Sequence, residues 1–423
     1  MERQNTFVTG SAGLTASHLA QPRLEHTAVV ATRRRSSRVK RAGAARLAGL
    51  GVLLFALSGT GDPARAQTAT NTWTGNRTTG ASADRNQWSQ AGNWSGAVPA
   101  DGSVLVFAGN RGLADNTNNI SEGSFRSILF AADAGAFTLN GNAITLGNGI
   151  TNSSANTQTV NLNGITLGGA QTFHALSNHL VFSTLGHLTN AGFLLSVNGA
   201  FNTTLNGSIS GSGGLAKLGA GTLTLTGSNN YTGAVAVRGG LLDLAATAGA
   251  AAGAVASVAV AAGATLLVSR SNQVNDSAGV SLSGGTITRG RGASEVFGNL
   301  AVSSPSFLDF GTGAAGTFSF GTYTPSALLT ITNFGAGNTL NFGSDLTGSI
   351  GNQDLFTFDH GFSSSWDGNT FTVTAIPEPP AFLAAAGFIA VMLWPSRKRL
   401  LRYTKRTLGL RPPMRERLAA SRR

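Results

Sequence analysis

Residues 211–244 read "GSGGLAKLGAGTLTLTGSNNYTGAVAVRGGLLDL", and this stretch decides the fold of the chain. Apolar residues alternate with Thr, Ala or Asp in the short runs "TLTL", "AVAV" and "LLDL", and Gly or Asn closes each run. Alternation with a period of two over four to six residues is typical of a strand with one buried face. The stretch therefore predicts strand, turn, strand in close succession.

The same pattern recurs on both sides of this stretch. The runs "FTLNGNAITLG", "TVNLNGITLGG" and "VSLSGGTITRG" repeat the alternation, and the chain has 57 glycines with only 11% charged residues. Such a composition is unusual for an α/β enzyme and predicts an all-β protein. The Ala-rich residues 244–264 resemble a helix by composition, but their glycines and Val-Ala alternation predict strands of small residues.

Short strands with frequent turns fit both a sandwich and a solenoid. The frequency of Asn and Gly, the similar strand lengths and the absence of a charged helical pattern favour a β-solenoid. One coil cannot bury its apolar side alone, so coils must stack. With about 22 residues in each coil, a body of about 310 residues predicts on the order of fourteen coils.

Residues 211–244 closely resemble the autotransporter-associated β-strand repeat. In that family a Gly-rich turn and a Lys lead into a Gly-Thr-Leu-Thr-Leu strand, followed by Asn-x-Tyr-Thr-Gly and a Gly-Gly-x-Leu strand. The matching positions are Lys217, Gly221, Asn229, Tyr231, Gly233, Gly239 and Gly240. The resemblance implies a right-handed parallel β-helix, which we assign to residues 67–306.

Positive charge is concentrated at the two ends of the chain. Residues 1–66 contain ten Lys/Arg against three acids, and residues 377–423 contain eleven against two, so nine basic and 13 acidic residues remain between them. The net charge of +12 therefore belongs to the ends, and we predict no nucleic-acid partner. Because the chain has no cysteine, disulfides and thiolate sites are excluded.

The N-terminal end has the three parts of a secretory signal. A basic stretch at 33–46 precedes an apolar stretch at 47–57, and small residues, Ala64 and Ala66, stand before Gln67. This order predicts a signal peptide over residues 1–66 that signal peptidase removes before Gln67.

The C-terminal end has a second targeting pattern. Pro377, Glu378 and Pro379 precede an apolar run at 381–394, and Arg397, Lys398 and Arg399 follow it. The order of these parts resembles the PEP-CTERM sorting signal of Gram-negative bacteria, which we place at 376–399. The resemblance implies transient insertion in the inner membrane and cleavage by an exosortase near Pro377–Pro379. The tail 400–423 is then cytoplasmic; permanent anchoring by the helix 381–394 is the alternative.

Residues 307–375 are richer in Phe and resemble the strand-rich module that precedes such sorting signals. We expect them to cap the solenoid, since its last apolar layer needs a cover. The Gly-rich stretch 311–316 matches G-x-G-x-x-G, but a strand-like run follows it instead of a helix, so we interpret it as a turn and not as a phosphate-binding loop.

No residue set in the sequence specifies a chemistry. Three histidines, His174, His179 and His187, could meet across coils, yet no acid accompanies them; the aspartates Asp354, Asp359 and Asp367 could form a calcium or glycosidase-like site but are more simply solvated loop residues. We therefore predict no catalytic residue, no metal and no cofactor.

Together these features predict an exported, non-enzymatic β-solenoid. It would act as a structural or adhesive element of the cell envelope, cell surface or extracellular matrix. An extracellular polysaccharide is one candidate ligand. The alternative is a polysaccharide-binding or polysaccharide-cleaving β-helix enzyme, which would need aspartates and Lys217 or Arg238 to converge in one groove.

Overall fold

The computed structural model describes residues 69–76, 85–110, 114–347 and 355–376. The first part contains β1 (Thr70–Trp73), the 3-10 turn Ala91–Asn93, β2 (Trp94–Ser95), β3 (Val104–Phe107), β4 (Asp115–Asn118), β5 (Ser124–Phe125), β6 (Ser127–Phe130), β7 (Thr138–Gly141), β8 (Ile144–Leu146), β9 (Gly149–Asn152), β10 (Gln158–Leu162) and β11 (Ile165–Leu167). The middle contains β12 (Gln171–Ala175), β13 (Leu180–Phe182), β14 (Leu188–Thr189), β15 (Leu195–Gly199), β16 (Thr203–Leu205), β17 (Ile209–Ser210), β18 (Leu215–Lys217), β19 (Thr222–Leu225), β20 (Val235–Val237), β21 (Leu241–Leu244), β22 (Ser257–Ala261) and β23 (Thr265–Val268). The last part contains β24 (Gly279–Ser283), β25 (Thr286–Arg289), β26 (Glu295–Val296), β27 (Leu300–Ser304), β28 (Ser306–Asp309), β29 (Thr317–Phe320), β30 (Tyr323–Pro325), β31 (Leu329–Thr332), β32 (Thr339–Phe342), β33 (Phe356–Phe358), β34 (Phe362–Trp366) and β35 (Phe371–Ala375).

These strands form a parallel β-solenoid with three faces. Face A is a sheet of 13 strands that runs from β2 to β30, and face B is a sheet of 12 strands that runs from β4 to β33. Face C is divided into one sheet of five strands from β5 to β17 and another of five strands from β26 to β34. The prediction of an all-β solenoid is confirmed.

The alternation in residues 211–244 directs Leu and Val into the core. In β19 and β21 the side chains of Leu223, Leu225, Leu242 and Leu244 are at most 1% exposed, while the Thr and Asp residues between them face outward. The two strands pair in parallel, with Leu223 opposite Leu242. Each such Leu contributes about 1.5–3 kcal/mol by leaving water, so the stacked leucines make a large contribution to the stability of these coils.

The solenoid has about 11 turns, fewer than the fourteen that the length alone predicts. Successive partners on face A are 20 residues apart at Leu215 and Val235 and 23 apart at Val235 and Val258, so the expected coil length is right. The difference arises because residues at both ends of the described body form caps instead of coils.

The N-terminal cap is aromatic. Strand β2 turns back and pairs antiparallel with β1, which covers the outer edge of β1. Trp73, Trp88 and Trp94 pack on Phe107 of the first coil with ring centroids 5.8–6.2 Å apart. This layer shields the first apolar level of the solenoid from water.

At the C-terminal end, the parallel coils continue beyond the predicted boundary between residues 306 and 307. Strands β28 to β33 stack in the same parallel order as the preceding coils, and the predicted boundary falls inside β28. At this end only β35 runs antiparallel to its neighbours, pairing with β32 on one side and with β34 on the other. The cap is therefore shorter than predicted, because the Phe-rich runs from 307 to 342 keep the period-two alternation that a solenoid coil requires.

Face C is interrupted between β17 and β26. The Ala-rich residues 244–264 lie at this interruption and form one complete strand, β22, instead of a series of small-residue strands. Apart from Leu244, which ends β21, most of the remaining residues form turns and bends, and Ala252 forms an isolated bridge with Val274. Ala246, Ala251 and Ala252 are at most 2% exposed, so small side chains occupy the interior there. In this region buried polar side chains form hydrogen bonds with the backbone of neighbouring coils, as described below.

The predicted targeting segments lie outside the described residues. These are the signal peptide with Ala64, Ala66 and Gln67, the motif Pro377–Pro379, the apolar run 381–394, and the basic residues Arg397, Lys398 and Arg399. Among the described residues, no helix is long and apolar enough to cross a membrane.

Candidate functional site

The signature residues of the repeat are internal parts of the solenoid. Lys217 ends β18 with its side chain turned inward and only 2% exposed. Its ammonium donates to the carbonyl oxygens of Gly219 and of Gly239, the latter at 3.1 Å. Burial lowers the pKa of Lys217 to about 8. The residue ties the turn of its own coil to the turn of the next coil, where two inward-facing carbonyls have no strand partner.

The signature glycines allow the corners of neighbouring coils to touch. A Cβ atom on Gly233 would lie 2.3 Å from the carbonyl oxygen of Gly213. Gly240 has a φ of +61°, and a Cβ there would lie 2.5 Å from the carbonyl oxygens of Gly219 and Gly221. Gly221 and Gly239 are similarly close to the backbone of the coil before them. At these positions a side chain would force the coils apart.

Asn229 bridges the interruption of face C. Its side-chain oxygen accepts from the backbone N–H of Ile209 at 2.7 Å, and its amide donates to the carbonyl of Ala251 at 2.7 Å. Because Ile209 lies one coil before Asn229 and Ala251 one coil after, a single buried side chain links three coils. Asn is suited to this position because it carries both an acceptor and donors.

Tyr231 is a packing residue. It is 1% exposed, and among the described residues its hydroxyl has no hydrogen-bond partner. The same burial raises the pKa of the Tyr231 hydroxyl well above its usual value. The ring, and not the hydroxyl, therefore accounts for the stabilisation that this residue provides.

We expect Tyr231→Phe to keep the free energy of unfolding or to raise it by about 1 kcal/mol, since it removes a buried polar group without a partner. Urea unfolding followed by circular dichroism measures the change. The control is Tyr231→Leu, which replaces the ring by a smaller side chain, leaves a cavity and is expected to destabilise the fold. A loss of more than about 1 kcal/mol in the Phe variant would show that the hydroxyl is bonded in solution.

Gln273 and Glu295 continue the polar bridge along the interruption. The Gln273 side chain accepts from the backbone N–H of Ala246 at 2.8 Å and donates to Ser271. The Glu295 carboxylate accepts from the backbone N–H groups of Gln273 at 2.7 Å and Val274 at 3.0 Å. Gln273 and Glu295 are each 1% exposed. Burial raises the pKa of Glu295 to about 7, although the two N–H donors oppose this shift.

Glu295 should make stability depend on pH. Between its ordinary pKa of 4.5 and its folded pKa of about 7, the folded state binds a proton that the unfolded state lacks, so stability falls as pH rises through this window. Relative to Glu295→Gln, which does not titrate, we expect the wild-type chain to lose about 3 kcal/mol across this window. Urea unfolding of both proteins at pH 4.5 and at about pH 7 measures this change in the free energy of unfolding. Parallel pH profiles of the two proteins would contradict it.

The three histidines do not meet. His174, His179 and His187 lie at successive positions around one coil, in β12, before β13 and before β14. His179 accepts from the backbone N–H of Asn202 at 3.0 Å, and His187 bonds Ser208 at 2.9 Å. No group of three or more His, Asp or Glu residues able to hold a metal occurs in the part of the chain that the structure describes.

The acid and base residues considered for a groove are also separated. Asp359 accepts from the backbone N–H of Phe334 at 3.1 Å and bonds His360 at 2.8 Å, whereas Asp367 accepts from Asn369 and Thr370 in its own turn. Asp354 lies outside the described residues. Lys217 is enclosed in the solenoid, and Arg238 is exposed just after β20. The stretch 311–316 joins β28 to β29, which confirms that it is a turn.

The outer surface of face B is polar but carries few charges. Asn161 donates to Asn140 at 2.7 Å, Ser183 donates to Asn161, and Thr226 donates to Asn206 at 2.7 Å. These bonds link side chains of successive coils, so they form a ladder along the solenoid. Five exposed apolar side chains lie at the corners between β12 and β16: Leu176, Leu185, Phe193, Leu194 and Phe201.

The signature residues mark the internal bonds only in part. Asn229 and Lys217 belong to the repeat signature, whereas Gln273 and Glu295 do not. Gln273 stands next to Asn272 and near Asn275, so nothing in the sequence singles it out, whereas Glu295 is the one charged residue in the run "ASEVFG".

Comparison with family models matches residues 215–244 to the passenger-associated-transport-repeat. The match covers β18 to β21, the segment that the sequence pattern singles out. Comparison with curated proteins and with solved structures gives no significant match. The chain is thus similar to a passenger-associated repeat over this segment, and the remaining coils share its architecture.

Proposed function

We propose that this chain is an exported, non-enzymatic β-solenoid that acts as a structural or adhesive element at the surface of a Gram-negative cell. The observation that carries the proposal is the passenger-associated repeat at 215–244, set in a solenoid whose signature residues are all used for packing. Passenger repeats favour a secreted or surface protein. The terminal patterns of the sequence, a signal peptide and a PEP-CTERM-like segment, agree with this destination.

The position of the sorting motif supports processing by an exosortase. The backbone N–H of Ile376 still donates to the carbonyl of Gly361 at 2.9 Å, and Pro377 is the next residue. Cleavage near Pro377–Pro379 would therefore release the body without cutting any strand of the hairpin. Signal peptidase, an exosortase and, transiently, the inner membrane are the partners that this route requires.

The external surface supports a role in extended contacts. The side-chain ladder of face B offers many amide and hydroxyl groups on a parallel sheet, which suits weak, repeated hydrogen bonds to an extracellular polysaccharide. The enzyme alternative requires acid and base groups in one groove. Lys217 is buried, and Asp359 and Asp367 accept bonds within turns, so the binding role has better support.

A deletion strain of the native host tests the proposal. We expect loss of the protein to reduce attachment or cell aggregation, and expect complementation by the wild-type gene to restore it. The matched control carries Pro377→Ala and Pro379→Ala, which leave the solenoid unchanged and should keep the protein from the surface. Attachment equal to that of the parent strain, or cleavage of the host's polysaccharide by the purified protein, would refute the non-enzymatic adhesive role.

A further inference from the structure

Strand β34 forms the last edge of the second sheet on face C. Its five residues, "FSSSW", pair antiparallel with β35, and no described strand pairs with the opposite edge of β34. The strand contains no Pro and no charged residue, the two features that usually protect an edge from pairing. Ser363, Ser364 and Ser365 are exposed. This edge is a template for a further strand.

The hydrogen bonds of the hairpin show which groups point outward. At the two ends of the hairpin, Ile376 donates to Gly361 and Asp367 donates to Thr370. Bonded pairs alternate in an antiparallel ladder, so Ser363 and Ser365 direct their backbone groups to β35. Phe362, Ser364 and Trp366 then direct their N–H and C=O groups to the open edge.

The strand is symmetric about Ser364 in residue type, with an aromatic residue at each end and three serines between them. An antiparallel partner with the same sequence places Ser364 opposite its own copy and Phe362 opposite Trp366 of the other chain. The same register joins all three outward-facing residues, with two backbone bonds in each pair. A shift of this register by two residues would leave at least one outward-facing residue of each strand without a partner.

The side chains fit this register as well. Phe362 and Trp366 lie opposite Ala375 and Phe371 of β35, on the face that packs against the core. In the paired arrangement each Phe362 meets a Trp366, and cross-strand aromatic pairs of this kind are favourable. In this register Asp367 of one chain lies opposite Gly361 of the other and Asp359 lies opposite Asn369, so no two acids lie opposite each other.

We propose that β34 pairs with β34 of a second copy of this chain about a two-fold axis through Ser364, so that the C-terminal caps of two solenoids form one continuous sheet. A two-fold interface uses the same patch on both copies, and the aromatic–Ser–Ser–Ser–aromatic pattern of this strand is compatible with that symmetry. The pairing is independent of adhesive or enzymatic function, because it involves only the cap.

Cysteine substitution tests the pairing in the full chain, which has no cysteine of its own. Opposed residues in a bonded antiparallel pair have Cα atoms about 5.5 Å apart, within the range of a disulfide. Ser364→Cys should therefore give a reducible dimer on mild oxidation. The control is Ser363→Cys, because residue 363 lies opposite Ser365 of the other chain and not opposite its own copy. The two substituted residues at position 363 are then diagonal neighbours about 7–8 Å apart, which is too far for a disulfide. We expect about tenfold more dimer from the Ser364→Cys variant than from this control, because only the former has its thiols directly opposed.

A second variant tests the same edge without oxidation. Ser364→Pro removes an outward-facing N–H that the hairpin does not use, so the fold should persist while the dimer is lost in sedimentation analysis. A monomeric wild-type chain, equal crosslinking of the two cysteine variants, or a thiol at position 364 that is shielded by the chain's own C-terminal segment would each overturn the proposal. Surface localisation can hold in all these cases, so the two proposals fail separately.

Discussion

Replacement of Gly233 by Ala is expected to lower the free energy of unfolding by about 3 kcal/mol. The added Cβ would lie 2.3 Å from the carbonyl oxygen and 2.4 Å from the carbonyl carbon of Gly213. Both are backbone atoms of the preceding coil, so no flexible side chain can move aside. The corner must open, and opening it lengthens the parallel hydrogen bonds between β18 and β20.

Gly335→Ala is the matched control for this substitution. A Cβ on Gly335 meets no atom within 4 Å, and the backbone there does not have a positive φ. We expect a change within about 0.5 kcal/mol. Urea unfolding of both variants measures the difference. Equal stability of the two variants would contradict the tight corner between coils.

Replacement of Trp88 by Ala is expected to cost about 3–5 kcal/mol, the usual range for a buried aromatic side chain. Trp88 is fully buried, lies 5.8 Å from Phe107 and Phe125 by ring centroids, and donates to the side-chain oxygen of Asn116 at 2.6 Å. Its loss would open the cap and expose the first coil to water. Because each coil contacts only its neighbours, the effect should be strongest near the N-terminal end.

Hydrogen exchange locates this effect. We expect amides of β3 and β4 to lose protection in Trp88→Ala while those of β21 and β23 keep it. Trp88→Phe is the control, since it retains an aromatic ring and loses the bond to Asn116, at a cost of about 1–3 kcal/mol. Uniform loss of protection along the whole solenoid would show that the cap is not a local element.

The strands that the sequence predicts best are those with strict alternation. "TLTL" and "LLDL" form β19 and β21 with the expected residues buried, since a period of two has only one arrangement that places Leu inside. The Ala-rich stretch led to a poorer prediction, because Ala is compatible with either face and with turns. The boundary at 307 was misplaced for a similar reason: more Phe changes the composition without changing the period.

The hydrogen bonds of the buried polar side chains could largely not be predicted from the sequence. Asn229 is part of a known repeat, but its links to Ile209 and Ala251 depend on which coils lie above and below it. Glu295 looks like an ordinary surface acid until the structure places Gln273 and Val274 against it. Similarly, the three closely spaced histidines suggest a cluster only until the coil separates them. Distances around a coil are set by corners, which sequence spacing does not reveal.

The central claim is that this solenoid is exported and released from its targeting ends. Mass spectrometry of the protein's termini, from surface and membrane fractions of the native host, tests it most directly. We predict a surface form that begins at Gln67 and ends between Pro377 and Pro379. A chain that reaches Arg423 in the membrane fraction, with no shorter form at the surface, would contradict the claim.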